Sequence, residues 1–168
     1  MSGFRFYHIQ EKYVNYLHSG DYRVQFNKGQ HRPYVGVVLT INGVKYYVPL
    51  ESPKPNHASI KSGGPVLKLD DGKLGMMGFN NMIPVPDHAL INFDFNDIED
   101  SKYKNLLINQ LRYCNSIKEI IIRRAETTYY KALSGKVPLY NKVCCNYRKL
   151  EHMSKSYDPE YKPKRKGR

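Results

Sequence analysis

The sequence lacks features that define several common classes of protein. Its three cysteines, Cys114, Cys144 and Cys145, form neither a disulfide framework nor a C-x-x-C metal motif. No run of about 20 apolar residues could cross a bilayer, and residues 1–13 lack the apolar segment of a secretory signal. We therefore expect reduced, mostly buried cysteines and a cytoplasmic protein, with no cofactor and no membrane partner.

Acidic residues are scarce relative to basic ones. The 168-residue chain has 15 Asp and Glu against 27 Lys and Arg, a formal net charge of +12. Residues 155–168 hold six basic and two acidic residues, so residues 1–154 still carry +8. Such a surface favours a polyanionic partner. Nucleic acid fits better than a membrane surface, because the basic residues do not line one face of an amphipathic helix.

Length and composition predict one folded unit. With 40% hydrophobic and 12% aromatic residues, the chain can build a core without disulfides or metal. We predict a single domain over residues 1–156. A basic tail over residues 157–168 is polar and rich in proline, and we expect it to be disordered unless a partner holds it.

Strand patterns dominate the first hundred residues. The strongest signal is a hairpin in which Asn42-Gly43 joins the β-rich runs 34–41 and 44–50, and this dipeptide favours a type I′ turn. Further strands are predicted at residues 4–9, 66–69, 74–79 and 89–95. These strands predict a strongly twisted antiparallel sheet.

Apolar residues recur at helical spacing in three segments, namely residues 11–18, 101–135 and 142–153. Residues 21–32 show neither helical nor strand spacing and predict a mobile loop, a kind of segment that often carries function. The predicted fold class is therefore α+β, a twisted antiparallel sheet or partial barrel with packed helices.

A group of polar residues follows the hairpin directly. Ser52, Lys54 and His57 come after the second strand, and Glu51 stands just before them. Cleaving RNA without a metal requires a base for the 2′-hydroxyl, an acid for the departing 5′-oxygen, and donors or cations around the phosphorane. These side chains either supply several of those roles or belong to a solvated turn, the commoner meaning of Ser-Pro-Lys after a strand.

Aromatic and cationic residues offer contacts for RNA. Tyr13 and Tyr46 are among several tyrosines that can stack on unpaired bases, although tyrosines at such spacings usually pack in a core. Arg32, just before the first hairpin strand, either contacts a phosphate or lies on the surface without a role.

Other catalytic templates fit the sequence less well. There is no Walker A loop and no H-E-x-x-H motif. The acidic residues Asp94, Asp97, Glu99 and Asp100 could bind Mg²⁺, as in metal-dependent nucleases. We favour another interpretation, in which they stabilise the N-terminus of a helix that begins near Ser101.

Six motifs share their order and spacing with a known family. They are Phe6-Tyr7-x-Ile9-x-x-x-Tyr13-x-x-Tyr16-Leu17, Val35-Gly36-Val37-Val38-Leu39, Lys45-Tyr46, Pro49-Leu50-x-Ser52-Pro53-Lys54 with His57, Met82-Ile83-Pro84, and Tyr103-Lys104-x-Leu106-Leu107-x-x-Gln110-Leu111. In this order they resemble the ToxN/AbiQ family of type III toxin–antitoxin endoribonucleases along nearly the full chain.

The resemblance implies a fold similar to the MazF and Kid toxins and a nuclease that leaves a 2′,3′-cyclic phosphate and a 5′-hydroxyl. It also implies inhibition by a short, repeated RNA pseudoknot, which the toxin cuts from a precursor and then binds. A cyclic protein–RNA assembly and a role in phage defence or plasmid maintenance are further expectations of this resemblance.

The resemblance also assigns individual residues. Ser52, Lys54 and Tyr13 match the family's active-site positions, and we expect either Tyr13 or His57 to assist proton transfer. Arg32 stands where a lysine is common, so we assign it to phosphate stabilisation, because a guanidinium rarely donates a proton. Glu51 replaces a threonine and either acts as a base or shapes the turn. We assign RNA binding to Glu51, Lys28, His31, Lys45, Lys61, Tyr46 and Gln110.

One alternative from another functional class stays open. A non-catalytic RNA-binding module or regulator would use the same basic and aromatic surface only to hold RNA. Net charge does not separate this module from a nuclease.

Overall fold

The computed structural model describes residues 3–160 of the chain. Within that range the strands are β1 (Arg5–Ile9), β2 (Tyr34–Ile41), β3 (Val44–Glu51), β4 (Val66–Lys68), β5 (Met76–Gly78), β6 (Ile83–Pro84) and β7 (Leu90–Asn92). The α-helices are α1 (Glu11–Gly20), α2 (Ser101–Ser116), α3 (Lys118–Ser134), α4 (Pro138–Val143) and α5 (Tyr147–Lys155).

The strands form one antiparallel sheet in the order β4-β5-β3-β2-β1-β7, and β6 also pairs with β3. The predicted α+β fold with an antiparallel sheet is therefore confirmed, and the likeness to MazF and Kid stays a prediction. Strand β3 has three partners, so its end is held from several sides.

The central hairpin has the predicted turn. Asn42 and Gly43 have φ values of 49° and 79°, both in the left-handed region that a type I′ turn requires. The turn fixes the register of β2 against β3, in which Tyr34 lies opposite Pro49. As a result, the residues that precede β2 and those that follow β3 meet at the same edge of the sheet.

The helical pattern over residues 101–135 is divided between two helices. Ile117, with φ −117° and ψ 29°, separates α2 from α3. Just before it, the Asn115 side chain accepts a hydrogen bond from the Phe4 N–H, and the Ser116 hydroxyl donates to the Tyr113 carbonyl. A local bond such as that of Ser116 competes with the helical ladder. The predicted helical pattern over residues 101–135 is therefore confirmed, but it belongs to two helices.

The segment 142–153 is likewise not one helix. Helix α4 ends at Val143 and α5 begins at Tyr147. The Asn146 side chain accepts from the Lys149 N–H, which makes Asn146 the N-cap of α5. The Cys145 N–H meanwhile donates to the Asn80 carbonyl, outside any helix.

The core extends slightly beyond the predicted domain end. Tyr157, which we placed in the tail, is 6% exposed and packs edge-on against Tyr13. It therefore belongs to the folded domain. Residues 161–168 of the predicted tail lie outside the described residues.

The cysteines are free and buried, as expected. Burial raises the pKa of the Cys114 thiol to about 12, which keeps that thiol protonated near neutral pH. No helix of residues 3–160 has the length and apolar character needed to span a membrane.

Candidate active site

A cavity of about 180 Å³ opens where β3 ends. Three parts of the chain line it: the loop before β2, the end of β3 with the residues after it, and the first turn of α2. The lining residues are Lys28, His31, Arg32, Pro33, Leu50, Glu51, Ser52, Lys54 and Tyr103. We call this cavity the β3 pocket.

Half of the residues assigned from the sequence meet in the β3 pocket. Ser52, Lys54 and Arg32 come from the catalytic set, and Lys28, His31 and Glu51 come from the RNA-binding set. Lysine and arginine supply three positive charges, against one carboxylate. This arrangement can hold a phosphodiester and offset its charge.

The loop over residues 21–32 is anchored to the rest of the molecule. The buried Asn27 side chain donates a 2.7 Å hydrogen bond to the Ile9 carbonyl at the end of β1. The Arg32 Nε donates to the Phe26 carbonyl, and the Leu50 N–H donates to the Pro33 carbonyl. These bonds position Arg32 beside the end of β3.

A short 3₁₀ helix, Pro55–Ser59, shapes the segment after β3. The His57 N–H donates to the Lys54 carbonyl at 3.0 Å, and the Lys54 N–H donates to His57 Nδ1 at 3.3 Å. The prolines at positions 53 and 55 lack the N–H that would continue a ladder. Ser52 and Lys54 are thereby exposed on a bent, hydrogen-bonded backbone.

His57 lies behind the pocket. Its side chain is only 3% exposed, and its Nε2 lies 3.5 Å from Glu51 Oε2. It is not among the residues that line the cavity. The predicted direct role of His57 in proton transfer to RNA is therefore corrected: the ring contacts Glu51 and the Lys54 backbone instead.

Glycine at position 75 allows the chain to pass close behind Glu51. A Cβ atom there would lie 1.9 Å from the Glu51 carbonyl oxygen, and the residue has φ +95°. The preceding residue, Leu74, accepts a 2.9 Å hydrogen bond from the Gln110 side chain of α2. Gln110 is 1% exposed. It supports the loop behind Glu51, and its predicted contact with RNA was wrong.

Two tyrosines assigned to the site are in the core. Tyr13 is 0% exposed and its hydroxyl donates to the Pro84 carbonyl. Tyr46 is also 0% exposed and its hydroxyl donates to the Glu151 carboxylate. Burial raises the pKa of both phenols, and Glu151 raises that of Tyr46 further. Both rings are packed in the core, so the core-packing interpretation is the correct one for these two tyrosines.

Two lysines assigned to RNA binding lie outside the β3 pocket. Lys45 is near the hairpin turn, six residues before Glu51 and about 20 Å along the strand, and its ammonium pairs with Asp87 at 3.4 Å. Lys61 is exposed beyond the 3₁₀ helix. Neither lysine is among the residues that line the cavity.

Three pocket residues were not assigned from the sequence, namely Pro33, Leu50 and Tyr103, and of these Tyr103 alone has a polar side chain. It is half-buried in the first turn of α2, and burial raises its pKa. Asp100 caps that helix by accepting from the Lys102 and Tyr103 N–H groups, which confirms the capping interpretation for this acidic residue. Tyr103 is the first residue of the sixth motif shared with the family, and that position was the signal that could have drawn attention to it.

Residues 5–155 match the family described as Toxin ToxN, type III toxin–antitoxin system. The chain belongs to the ToxN family. The matched range includes every residue of the β3 pocket.

Characterised ToxN relatives are similar over most of their length. The chain is 32% identical to Endoribonuclease ToxN of Bacillus thuringiensis subsp. kurstaki, over 91% of this chain and 84% of the relative. It is 33% identical to Endoribonuclease AbiQ of Lactococcus lactis subsp. lactis, over 91% and 88%. Endoribonuclease ToxN of Pectobacterium atrosepticum is 27% identical, over 97% and 99%.

Solved structures of the ToxN family have the same fold. AbiQ, described as a lactococcal anti-phage endoribonuclease of a type III toxin–antitoxin system, superposes with a TM-score of 0.80 at 29% identity, over 93% of this chain and 98% of that one. A second structure, from work on selective toxin inhibition by a non-coding RNA pseudoknot, has a TM-score of 0.79 at 32% identity, over 93% and 98%.

Proposed function

We propose that this chain is a metal-independent endoribonuclease toxin of a type III toxin–antitoxin system that acts in the cytoplasm. The observation that carries the proposal is that Ser52, Lys54 and Arg32 line one basic cavity. Relatives that match nearly the full chain are named endoribonucleases, which supports the same activity here.

The proposed reaction is an in-line attack within one strand of RNA. The 2′-oxygen forms a bond to the adjacent phosphorus, the bond from phosphorus to the 5′-oxygen breaks, and the products are a 2′,3′-cyclic phosphate and a 5′-hydroxyl. Lys54 and Arg32 offset the charge that builds up on the phosphorane, and the Ser52 hydroxyl donates a hydrogen bond to it. These fixed cations supply positive charge where other nucleases use a metal ion.

The same pocket is proposed to bind the antitoxin. A repeated RNA pseudoknot would be cut from its precursor here and then remain bound, in a cyclic protein–RNA assembly. The net charge of +12 supports tight, salt-dependent binding of RNA. A related toxin inhibited by an RNA pseudoknot, at a TM-score of 0.79, supports this class of partner.

Cleavage of a plain A-rich transcript by the purified protein tests the proposal. We expect the transcript to be shortened equally with and without EDTA, and the products to carry cyclic phosphate ends. Ser52→Ala and Lys54→Ala should still bind RNA but not cut it, whereas the exposed control Lys142→Ala on α4 should cut normally. A band that is shifted but intact would identify a non-catalytic RNA-binding module instead, and loss of cleavage in EDTA would refute metal independence.

A further inference from the structure

The reaction above needs a group that removes the proton of the 2′-hydroxyl. Tyr13 is buried and hydrogen-bonded to the Pro84 carbonyl, and His57 lies behind the cavity. Arginine and lysine are cations at neutral pH. Among the described residues that line the β3 pocket, Glu51 is the only carboxylate. The other side chain there that can accept a proton is His31, which is exposed in the loop before β2, whereas Glu51 stands on a strand paired with β5.

We propose that Glu51 is the general base of this enzyme and that His57 is the positioning residue that holds its carboxylate. The inference rests on the proposed nuclease function and deepens it. In the balanced step, the Glu51 carboxylate takes the proton of the 2′-hydroxyl as the 2′-oxygen bonds to phosphorus. The bond from phosphorus to the 5′-oxygen breaks, and the leaving 5′-oxygen takes a proton from Lys54 or water.

The surroundings of Glu51 leave it accessible to substrate. Its side chain is 30% exposed and borders the same cavity as Ser52 and Lys54. Within residues 3–160, no lysine or arginine lies within salt-bridge distance of its carboxylate, and the His57 imidazole is the one basic side chain that does. The Glu51 carboxylate therefore borders the same cavity as the proposed phosphate-binding cations, and it forms no ion pair with any of them.

The backbone of Glu51 is fixed more firmly than that of an ordinary strand end. Glu51 pairs with Met76 of β5, and its carbonyl lies against Gly75, where no side chain would fit. A base must stay within hydrogen-bond reach of its proton, so a rigid backbone favours this role.

The hydrogen bonding of His57 gives the ring a defined orientation toward Glu51. Because Nδ1 accepts from the Lys54 N–H, the neutral ring carries its proton on Nε2. That nitrogen lies 3.5 Å from Glu51 Oε2. The buried ring thus connects the carboxylate to the backbone of the lysine beside it, and one Glu51 oxygen is turned toward the ring.

The first experiment measures single-turnover cleavage by Glu51→Gln and Glu51→Ala. We expect the rate to fall by about 10²–10⁴-fold in both. The affinity for an RNA with a 2′-deoxy nucleotide at the cut site should be unchanged or tighter, because the basic pocket loses its negative charge. Glu126→Gln, which removes an exposed carboxylate from α3, is the matched control and should cut at the wild-type rate.

Chemical rescue separates a base from a structural role. Sodium formate should restore part of the cleavage rate of Glu51→Ala, because a small carboxylate can occupy the vacated position and accept the proton. Sodium chloride at the same concentration controls for ionic strength, to which RNA binding is sensitive. Formate should not restore Ser52→Ala.

Variants of His57 test the positioning role. The Gln side chain in His57→Gln is long enough to keep an N–H donor within reach of Glu51. The Asn side chain in His57→Asn is too short to place its amide there. We therefore expect the Gln variant to retain more of the wild-type kcat than the Asn variant, with KM little changed in both. In the Glu51→Gln background neither change should lower the rate further, since there is no base left to orient.

The outcomes separate this inference from the function it rests on. Three results would each overturn the assignment of Glu51: a wild-type cleavage rate in Glu51→Gln, equal rescue by formate and chloride, or weakened RNA binding with no rescue. If Ser52→Ala is inactive in the same experiments, the proposed nuclease function still stands. Failure of the wild-type protein to cut RNA would instead overturn the proposed function itself.

Discussion

Two glutamates near opposite ends of β3 differ in what surrounds them. Glu51, at the end of β3, is 30% exposed and faces a single buried imidazole. Glu151, on α5, accepts hydrogen bonds from the hydroxyls of Tyr46 and Tyr129. Both carboxylates are close to β3, yet one borders a basic cavity and the other is fully engaged by the core.

The contrast indicates that the two ends of β3 serve different purposes, a proposed catalytic site beside Glu51 and the packing of the core beside Glu151. Tyrosine hydroxyls around Glu151 satisfy a carboxylate that burial would otherwise penalise. Near Glu51 the neighbouring cations are directed to a cavity, where a phosphodiester can complete the charge balance. We therefore expect substitutions at the β3 pocket to change cleavage with little effect on stability, and substitutions around Glu151 to do the reverse.

The largest expected effect on activity comes from the pocket residues themselves. Ser52→Ala and Lys54→Ala should lower the cleavage rate by about 10²–10³-fold or more, because each removes a donor that we propose stabilises the phosphorane. Both side chains are exposed, so thermal unfolding should stay close to wild type. A melting temperature that falls together with activity would show that the two regions are not separate.

Gly75→Ala should affect both properties at once. The new Cβ would meet the Glu51 carbonyl at 1.9 Å, in a residue with φ +95°, and we expect a loss of about 2–4 kcal/mol in the free energy of unfolding together with impaired cleavage. Gly43→Ala is the matched control. It has φ +79° with nothing within 4 Å of its Cβ position, so it should lose stability from backbone strain alone and keep the wild-type rate. Equal effects of the two substitutions would contradict a specific role for the contact with Glu51.

Tyr46→Phe should change stability and leave cleavage intact. It removes one of the two donors to the Glu151 carboxylate, and we expect the free energy of unfolding to drop by about 1–3 kcal/mol. Tyr130→Phe on α3, where the ring is 58% exposed, serves as the control. A cleavage defect in Tyr46→Phe that exceeds its effect on folding would place this tyrosine back in the functional site.

Alkaline pH should destabilise the core through its buried phenols. Burial raises the pKa of Tyr13, Tyr46 and Tyr147 above the ordinary value. A raised pKa in the folded state means that the stability from the neutral phenols is complete below about pH 10 and is lost as the pH rises further. Denaturant unfolding followed from pH 8 to 11 should show this fall, and a free energy of unfolding that stays level above pH 10 would contradict the burial of these hydroxyls.

The sequence predicted the antiparallel sheet and the β3 pocket better than it predicted the aromatic residues. Asn42-Gly43 specifies its turn locally, so the hairpin and the meeting of Arg32 with Ser52 follow from neighbouring residues. Tyrosine is ambiguous, because its ring suits both a core and a stacked base. The placement of Tyr13 and Tyr46 depends on contacts with Pro84 and Glu151, far along the chain, and spacing carries no information about those contacts.

The smallest effect is expected at Lys45, which the sequence analysis had assigned to RNA binding. Its ammonium already pairs with Asp87, and it lies about 20 Å along β3 from the end at which we propose that cleavage occurs. Lys45→Ala should therefore change the cleavage rate by no more than about twofold. The slope of RNA affinity against salt should also change less than in Lys54→Ala, which removes a proposed phosphate contact. An equal change in slope for the two variants would indicate that RNA binds along the whole of β3. That result would contradict the separation between a catalytic end and a structural end of the strand.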